Sequence, residues 1–322
     1  MNAIVALIIV LLSGAALPPA MAQTASRATD ALTSGAGDLD PSDESLIIDG
    51  GDAGENAEQA RPKPPTTGAP APVTFTAYLS DGAPPMLTDM TWRVFEGTSS
   101  ADGTYRLLHT VKEPRPTIQL RPGEYLVNIA YGKANLTRKI GVWPEKPVNE
   151  AFVLNAGGLR LYATLAKGPI LAEHLLKFEI LTEAQDQFGN RQRILGNVRP
   201  GVVIRLNSGL YHIVSTYGDG NSVISSDVVV EPGRITEAVI DHDAAKVTLK
   251  LVARAGGEAV ADTRWLISTE RGEQVKESAG AFPTHILAAG TYLAKATHGE
   301  NEFQAAFTLA PGETKLIELV MR

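Results

Sequence analysis

Apolar and polar residues alternate in short runs from about residue 73 to the end of the chain. Alternation with a period of two is typical of strands that bury one face, and Gly, Pro, Asn and Asp residues separate the runs. Three stretches of this kind open three successive units, at 73–78, 159–165 and 247–252. The pattern therefore predicts an all-β protein.

One short pattern occurs three times and sets the organisation of the chain. A glycine is followed two places later by a tyrosine, then by an alternating run that ends at a second glycine nine residues after the first. The motif pairs are Gly123 and Tyr125, Gly209 and Tyr211, Gly290 and Tyr292. A large aromatic residue precedes each motif by 31, 31 and 25 residues, at Trp92, Phe178 and Trp265. These matching spacings predict three homologous units.

Each unit has about seven predicted strands separated by turn residues, which is typical of an antiparallel β-sandwich. The predicted fold is three tandem sandwiches of Ig-like or transthyretin-like type, at 73–155, 156–243 and 244–322. Residues 170–184 have helix-like spacing, but the corresponding segments of the other units are strand-like, so we predict a strand over 175–181. Asn155–Gly158 and Asp241–Ala245 are predicted to be short connecting turns.

The Pro122-Gly123-Glu124-Tyr125 turn carries a family resemblance. With its partial copies, it makes residues 73–322 resemble the transthyretin-like sandwiches of carboxypeptidase-regulatory and PEGA-type repeats. Similar tandem repeats occur in exported bacterial proteins. The resemblance implies a fold far more than a function, because the motif is structural.

The segment before the first unit has a different composition. Residues 1–22 have an apolar run followed by Ala20-Met21-Ala22, which predicts a signal peptide and a periplasmic or secreted location. Residues 23–72 are predicted to be a disordered, acidic, proline-rich linker. Leu46–Ile48 is an apolar island within it, interpreted either as a patch in a mobile tether or as a strand that adds to a sheet edge. No other segment is long and apolar enough to predict a membrane span.

Charge and cysteine content exclude several classes of protein. The net charge is −7, and nine acidic against three basic residues in 23–72 account for −6 of it. The remaining chain is nearly neutral, so nucleic acid is not an expected partner. The chain has no cysteine, which excludes disulfides, thiolate metal sites and cysteine nucleophiles.

Candidate sites are few. No nucleophile motif, phosphate-binding loop or paired metal-ligand spacing occurs, so we predict no enzyme activity, no cofactor and no metal. Asp241-His242-Asp243 is the densest cluster, interpreted as an ordinary turn with a weak cation site as the alternative. The motif tyrosines are predicted to pack inward and bond nearby backbone, as the fold requires.

Trp143 is the candidate ligand or partner contact. Glu231 and Ala310 occupy its place in the other units, so the core does not require a tryptophan there. An exposed tryptophan beside a turn suits sugar stacking or a protein contact, whereas the alternative places it over the joint between the first two units. The leading hypothesis is an exported, non-catalytic protein that acts in the envelope as a structural module or a protein-interaction module, in the form of a spacer rod of β-sandwiches. The alternative is a carbohydrate-binding array on envelope polysaccharide.

Overall fold

The computed structural model describes residues 63–88, 90–101 and 103–321. The predicted signal peptide, most of the predicted linker and the Leu46–Ile48 island lie outside these residues. Within them, no helix has the length and apolarity needed to cross a membrane.

The described chain folds into twenty-one strands, seven to a repeat, which confirms the predicted all-β class. Repeat 1 contains β1 (Ala71–Tyr78), β2 (Thr91–Glu96), β3 (Leu107–Lys112), β4 (Thr117–Leu120), β5 (Gly123–Tyr131), β6 (Ala134–Val142) and β7 (Val148–Val153). Repeat 2 contains β8 (Ala156–Leu165), β9 (Leu176–Gln185), β10 (Arg191–Val198), β11 (Val203–Asn207), β12 (Gly209–Tyr217), β13 (Val223–Val230) and β14 (Ile235–His242). Repeat 3 contains β15 (Ala244–Val252), β16 (Arg264–Thr269), β17 (Gln274–Ala279), β18 (Thr284–Ala288), β19 (Gly290–His298), β20 (Asn301–Leu309) and β21 (Thr314–Val320).

Every repeat pairs a four-stranded sheet with a three-stranded sheet in the same order. In repeat 1 the orders are β3-β2-β5-β6 and β4-β1-β7, and the strands of repeats 2 and 3 follow them. The four-stranded sheets are antiparallel throughout. In each three-stranded sheet the first and last strands of the repeat pair in parallel, which the antiparallel prediction did not include. Parallel neighbours need a long crossover, and here the other five strands provide it.

Alternation along the strands builds the core. In β1 every second residue from Ala71 to Ala77 is buried, and the central strands of the other sheet bury Trp92 and its counterparts Phe178 and Trp265. Both indole N–H groups donate to backbone carbonyls at 3.0 Å, Trp92 to Glu113 and Trp265 to Gly280. The large rings can therefore be buried without an unpaired polar atom.

The strand predicted over 175–181 is confirmed as part of β9. A single 3₁₀ turn at Glu173–Leu175 precedes it, which accounts for part of the helix-like spacing of this segment.

The connections between repeats are shorter than predicted. β7 ends at Val153 and β8 begins at Ala156, while only Asp243 separates β14 from β15. The prediction that Asn155–Gly158 is a turn is wrong for its last three residues. Gly157 is a glycine because a Cβ there would lie 2.1 Å from the carbonyl oxygen of Glu231, so it allows close backbone approach rather than a turn.

Candidate functional site: the joints between repeats

The repeats contact one another through hairpin turns. The turn between β5 and β6 contacts β11 of repeat 2, and the turn between β12 and β13 contacts β18 of repeat 3. We call these contacts joint 1 and joint 2. In each, the turn of one repeat lies against the strand that immediately precedes the motif glycine of the next repeat.

Joint 1 is held by backbone and amide hydrogen bonds. The Lys133 N–H donates to the Arg205 carbonyl oxygen at 3.0 Å. Asn207 Oδ1 accepts from the Asn135 N–H at 3.1 Å, and Asn207 Nδ2 donates to the carbonyl oxygens of Asn135 at 3.0 Å and Leu154 at 3.2 Å. The Arg205 guanidinium also lies 4.4 Å from the centre of the Tyr131 ring, a distance typical of a cation–π contact.

Joint 2 is held by charged groups as well as amides. The Asp219 carboxylate accepts from Lys276 Nζ at 3.0 Å and lies 2.9 Å from His285 Nδ1. Burial opposes ionisation of Asp219, but hydrogen bonds from His285 and Lys276 outweigh it and hold the pKa of the carboxyl below its usual value. Asn221 Oδ1 accepts from the Ala288 N–H at 3.0 Å, and Asn221 Nδ2 donates to the Tyr292 hydroxyl at 3.0 Å.

The two joints share a register. The third residue after the hairpin glycine, Asn135 or Asn221, bonds the residue two places before the next motif glycine, Asn207 or Ala288. The hairpin of repeat 2 is two residues longer than that of repeat 1, because the motif glycine pairs with a residue 21 rather than 19 positions away. The same pair of positions is therefore in contact in both joints, although the two turns differ in length.

Close approach in both joints depends on glycine. A Cβ on Gly132 would lie 2.9 Å from Arg205 Cβ, and one on Gly218 would lie 2.5 Å from Ile286 Cβ. A Cβ on Gly220 would lie 2.3 Å from the Ile286 carbonyl oxygen. Gly132 and Gly218 also have φ values of 66° and 79°, which L side chains rarely adopt. These glycines let a turn backbone lie directly on the next repeat.

The motif tyrosines lie beside these contacts. In every repeat the tyrosine hydroxyl donates at 2.8 Å to the carbonyl oxygen four residues earlier, in Arg121, Asn207 and Ala288. The preceding motif glycines have φ values of 155°, 154° and 155°. Tyr211 and Tyr292 thus fix the ends of the two strands that receive a turn in joints 1 and 2.

Trp143 lies away from the joints. Its neighbour Val142 pairs with Gly123 at one end of the β5–β6 ladder, while Tyr131 and Ala134 close the other end at the turn. A strand of this length separates the two ends by roughly 30 Å. The hypothesis that Trp143 covers the contact between the first two repeats is therefore wrong. The side chain is 37% exposed.

The Asp241-His242-Asp243 cluster does not gather around a common point. Asp241 Oδ1 accepts hydrogen bonds from Thr164 Oγ1 and the Lys167 N–H, whereas the His242 ring is completely buried. The described residues contain no group of three His, Asp or Glu side chains placed to hold a metal ion. Asp241 and His242 belong to β14, so the interpretation of the cluster as an ordinary turn is wrong for these two residues. The alternative of a weak cation site is not supported either.

His242 is buried under joint 2. Its two ring nitrogens each lie 2.8 Å from a serine hydroxyl, Ser215 on one side and Ser222 on the other. Burial lowers the pKa of His242 to about 4, although the neighbouring charges of Asp241 and Asp243 oppose that shift. Since Ser222 closes the hairpin turn that enters joint 2, the neutral ring supports the base of this turn.

Repeat 1 has an open cleft where the other two repeats receive a turn. The cleft has a volume of about 690 Å³, and its wall includes His109, Gln119 and Arg121. Its other charged residues are Lys63, Glu96, Arg106 and Glu124. Glu96 pairs with Arg106, and Glu124 pairs with Lys139.

Sequence reasoning missed the joint residues. A signal was present: Gly132-Lys133-Ala134-Asn135 and Gly218-Asp219-Gly220-Asn221 share a glycine followed by an asparagine three places later. The third copy, Gly299-Glu300-Asn301-Glu302, departs from that pattern. Comparing the residues after the closing glycine would have separated the turns of repeats 1 and 2, which lie on the next repeat, from the turn of repeat 3.

Comparison with protein families gives a match in the third repeat. Residues 246–321 match the model of the Rhizobiales growth-associated tandem repeat domain. No match was found among curated proteins. The family match supports the tandem-repeat organisation, and it leaves the transthyretin-like assignment untested.

Several solved structures are similar to this chain. The Bacillus anthracis TIE protein is 15% identical, with a TM-score of 0.25, over 79% of this chain and 50% of its own. The Streptococcal ancillary pilin is 12% identical, with a TM-score of 0.27, over 79% of this chain and 99% of its own. The minor pilin of Streptococcus agalactiae is 11% identical, with a TM-score of 0.31, over 53% of this chain and 95% of its own. The chain thus spans half the length of the first of these proteins, and TM-scores this low support no argument about its function.

The buried His242 gives the fold a pH dependence. Its pKa is lower in the folded chain than the usual 6.5, so acid favours the unfolded state, which binds the proton more readily. We expect full stability above pH 6.5 and a loss of about 1.4 kcal/mol per pH unit toward pH 4, about 3 kcal/mol in all. Urea denaturation from pH 8 to pH 4 measures this. His242→Gln should weaken the fold at pH 8 and flatten the profile; an unchanged slope would contradict the assignment.

Proposed function

We propose that this chain is an exported, non-catalytic structural module, a spacer rod of three β-sandwiches that binds another protein. The observation that carries the proposal is the repeated joint, in which a turn of one repeat lies on a strand of the next at the same register. A contact that is used twice to fix neighbouring repeats suits a protein whose function depends on its overall shape and on the distance between its repeats. Linkers of one or two residues support the same conclusion.

Export is part of the proposal and rests on the sequence. Residues 1–22 have the apolar run and small-residue cleavage site of a signal peptide. A cysteine-free chain of hydrogen-bonded sandwiches depends on no disulfide, so its fold suits an oxidising or a reducing compartment. We place the protein in the periplasm or outside the cell.

The edge strands of the sheets are suited to binding another protein. The strands β6, β13 and β20 are edges of their four-stranded sheets, and β7, β14 and β21 are edges of the three-stranded ones. Edge strands present unpaired backbone groups that another chain can pair with. On repeat 2 these edges carry the exposed apolar side chains Val229, Ile235 and Val239.

The alternative function is carbohydrate binding in the envelope, and it depends on Trp143. Its indole is partly exposed and lies far from joint 1, so it is available to a ligand. Neither of the two clefts described on this chain includes Trp143 in its wall. A single stacking platform without polar side chains converging on it provides little specificity for a sugar. We therefore favour the structural module.

Asn207→Ala tests the rod. The substitution removes three hydrogen bonds of joint 1 and should weaken that joint by about 1–2 kcal/mol while each sandwich stays folded. We expect small-angle scattering to show a larger radius of gyration and a broader range of shapes. Asn149→Ala, at an exposed position of β7, is the matched control and should leave the scattering unchanged. Identical curves for wild type and Asn207→Ala would contradict a rod held by this joint.

Trp143→Ala separates the two functions. Because Trp143 lies at the end of β6 far from joint 1, the substitution should leave both the scattering curve and retention on immobilised envelope polysaccharide unchanged. Retention that is present in wild type and lost in Trp143→Ala, with the scattering unaltered, would favour the carbohydrate-binding array instead.

A further inference from the structure

The turn of repeat 3 is free within the described residues. A Cβ on Gly299 would meet nothing within 4 Å, whereas one on Gly132 or Gly218 would collide with the next repeat. Glu300 and Glu302 are exposed in this turn. The turn has the same length as that of repeat 1, since each motif glycine pairs with a residue 19 positions away. Repeat 3 therefore presents a turn of the shape that joint 1 uses.

The receiving strand of repeat 1 is the complementary feature. Four residues before the motif glycine stand Gln119 in repeat 1, Arg205 in repeat 2 and Ile286 in repeat 3. Ile286 is buried and Arg205 is half-buried beneath a turn, while Gln119 is exposed. The cleft of about 690 Å³ lies at this position. Among the described residues, no hairpin turn lies on this strand of repeat 1, whereas a turn lies on the corresponding strand of repeats 2 and 3. Lys63, Pro64 and Thr66 of the same chain form part of the cleft wall, and the cleft lies between them and the strand.

The register of joint 1 predicts which residues would meet. Glu300 takes the place of Lys133, opposite Gln119, and Glu302 takes the place of Asn135, opposite Arg121. His109 lies opposite Val94 as Lys276 lies opposite Ile267, so it occupies the place from which Lys276 bonds Asp219 in joint 2.

Charge favours the turn of repeat 3 over that of repeat 1 for this cleft, and the acidic turn of repeat 2 already lies on repeat 3. Its two glutamates would face His109 and Arg121, as Asp219 faces Lys276 and His285 in joint 2. Glu302 now pairs with Lys295 at 2.7 Å, and its side chain is 50% exposed. Because a carboxylate has two acceptor oxygens, Glu302 can accept a hydrogen bond from a second cationic side chain as well. The turn of repeat 1 carries Lys133 and offers no such complementarity.

We propose that the protein associates head to tail, with the β19–β20 turn of one copy seated in the repeat 1 cleft of a second copy. This would be a third contact with the geometry of joints 1 and 2, formed between two chains rather than within one chain. Because the two surfaces differ, the association is heterologous and builds an open chain or a ring rather than a closed pair. The inference rests on the proposed function, since it extends the same rod.

Charge reversal in the full-length protein tests the contact. Sedimentation velocity at low salt should show wild type associating as concentration rises, and added salt should weaken the association. Arg121→Glu and Glu302→Lys should each weaken it at least about tenfold, because an attraction becomes a repulsion. Mixing the two variants should restore it, since each then offers the other a matched surface. Arg271→Glu, at an exposed turn of repeat 3, is the control and should behave as wild type.

The absence of cysteine allows a geometric test. A chain with Arg121→Cys and Glu302→Cys should form, on mild oxidation, a ladder of dimers, trimers and longer species. Each single variant should yield dimers at most. Wild type that stays monomeric at every concentration, or a double variant that stops at dimers, would overturn the proposal. Scattering of Asn207→Ala reports on the internal joint separately, so failure of self-association would leave the rod itself standing.

Discussion

The structure depends on how closely a turn can approach the next repeat. In both joints the turn backbone lies on a neighbouring strand, and a Cβ at Gly132, Gly218 or Gly220 would come within 2.9 Å of it. That constraint requires glycine in the turn and fixes the distance between repeats. Linkers of one or two residues keep the surfaces together, so little chain entropy opposes docking. The repeats are therefore neighbours held at a defined orientation.

The same constraint couples the repeated motif to the joints. The motif tyrosine bonds the strand end that precedes its glycine, and that strand end is the seat for the turn of the repeat before. In joint 2 the coupling is direct, since Asn221 donates to the hydroxyl of Tyr292. Below the turn, the buried His242 bonds Ser222 at the base of the hairpin. One motif thus serves the sandwich and the assembly of sandwiches together.

Local patterning predicted most of the fold and little of the joints. Alternation and repeat spacing identified the strands, including the one around Phe178 where local spacing favoured a helix. Gly157 and Gly158 were wrongly predicted to be turn residues. The sequence alone does not distinguish a glycine that is needed for close strand packing from one that is needed for a turn. Asn207 and Asp219 were missed because their partners lie 72 and 66 residues away, and only the fold brings those segments together. Trp143 drew attention as an oddity, yet it lies at the opposite end of repeat 1 from the joint.

The central claim is that docked turns hold neighbouring repeats in one orientation. The most direct measurement is the distance distribution between spin labels in repeats 1 and 2, by double electron–electron resonance on full-length protein carrying Thr110→Cys and Ser225→Cys. Both positions are exposed, and the chain has no other cysteine to label. Docked turns predict a single narrow distribution. A broad distribution, as expected for sandwiches that move freely about their linker, would contradict the claim.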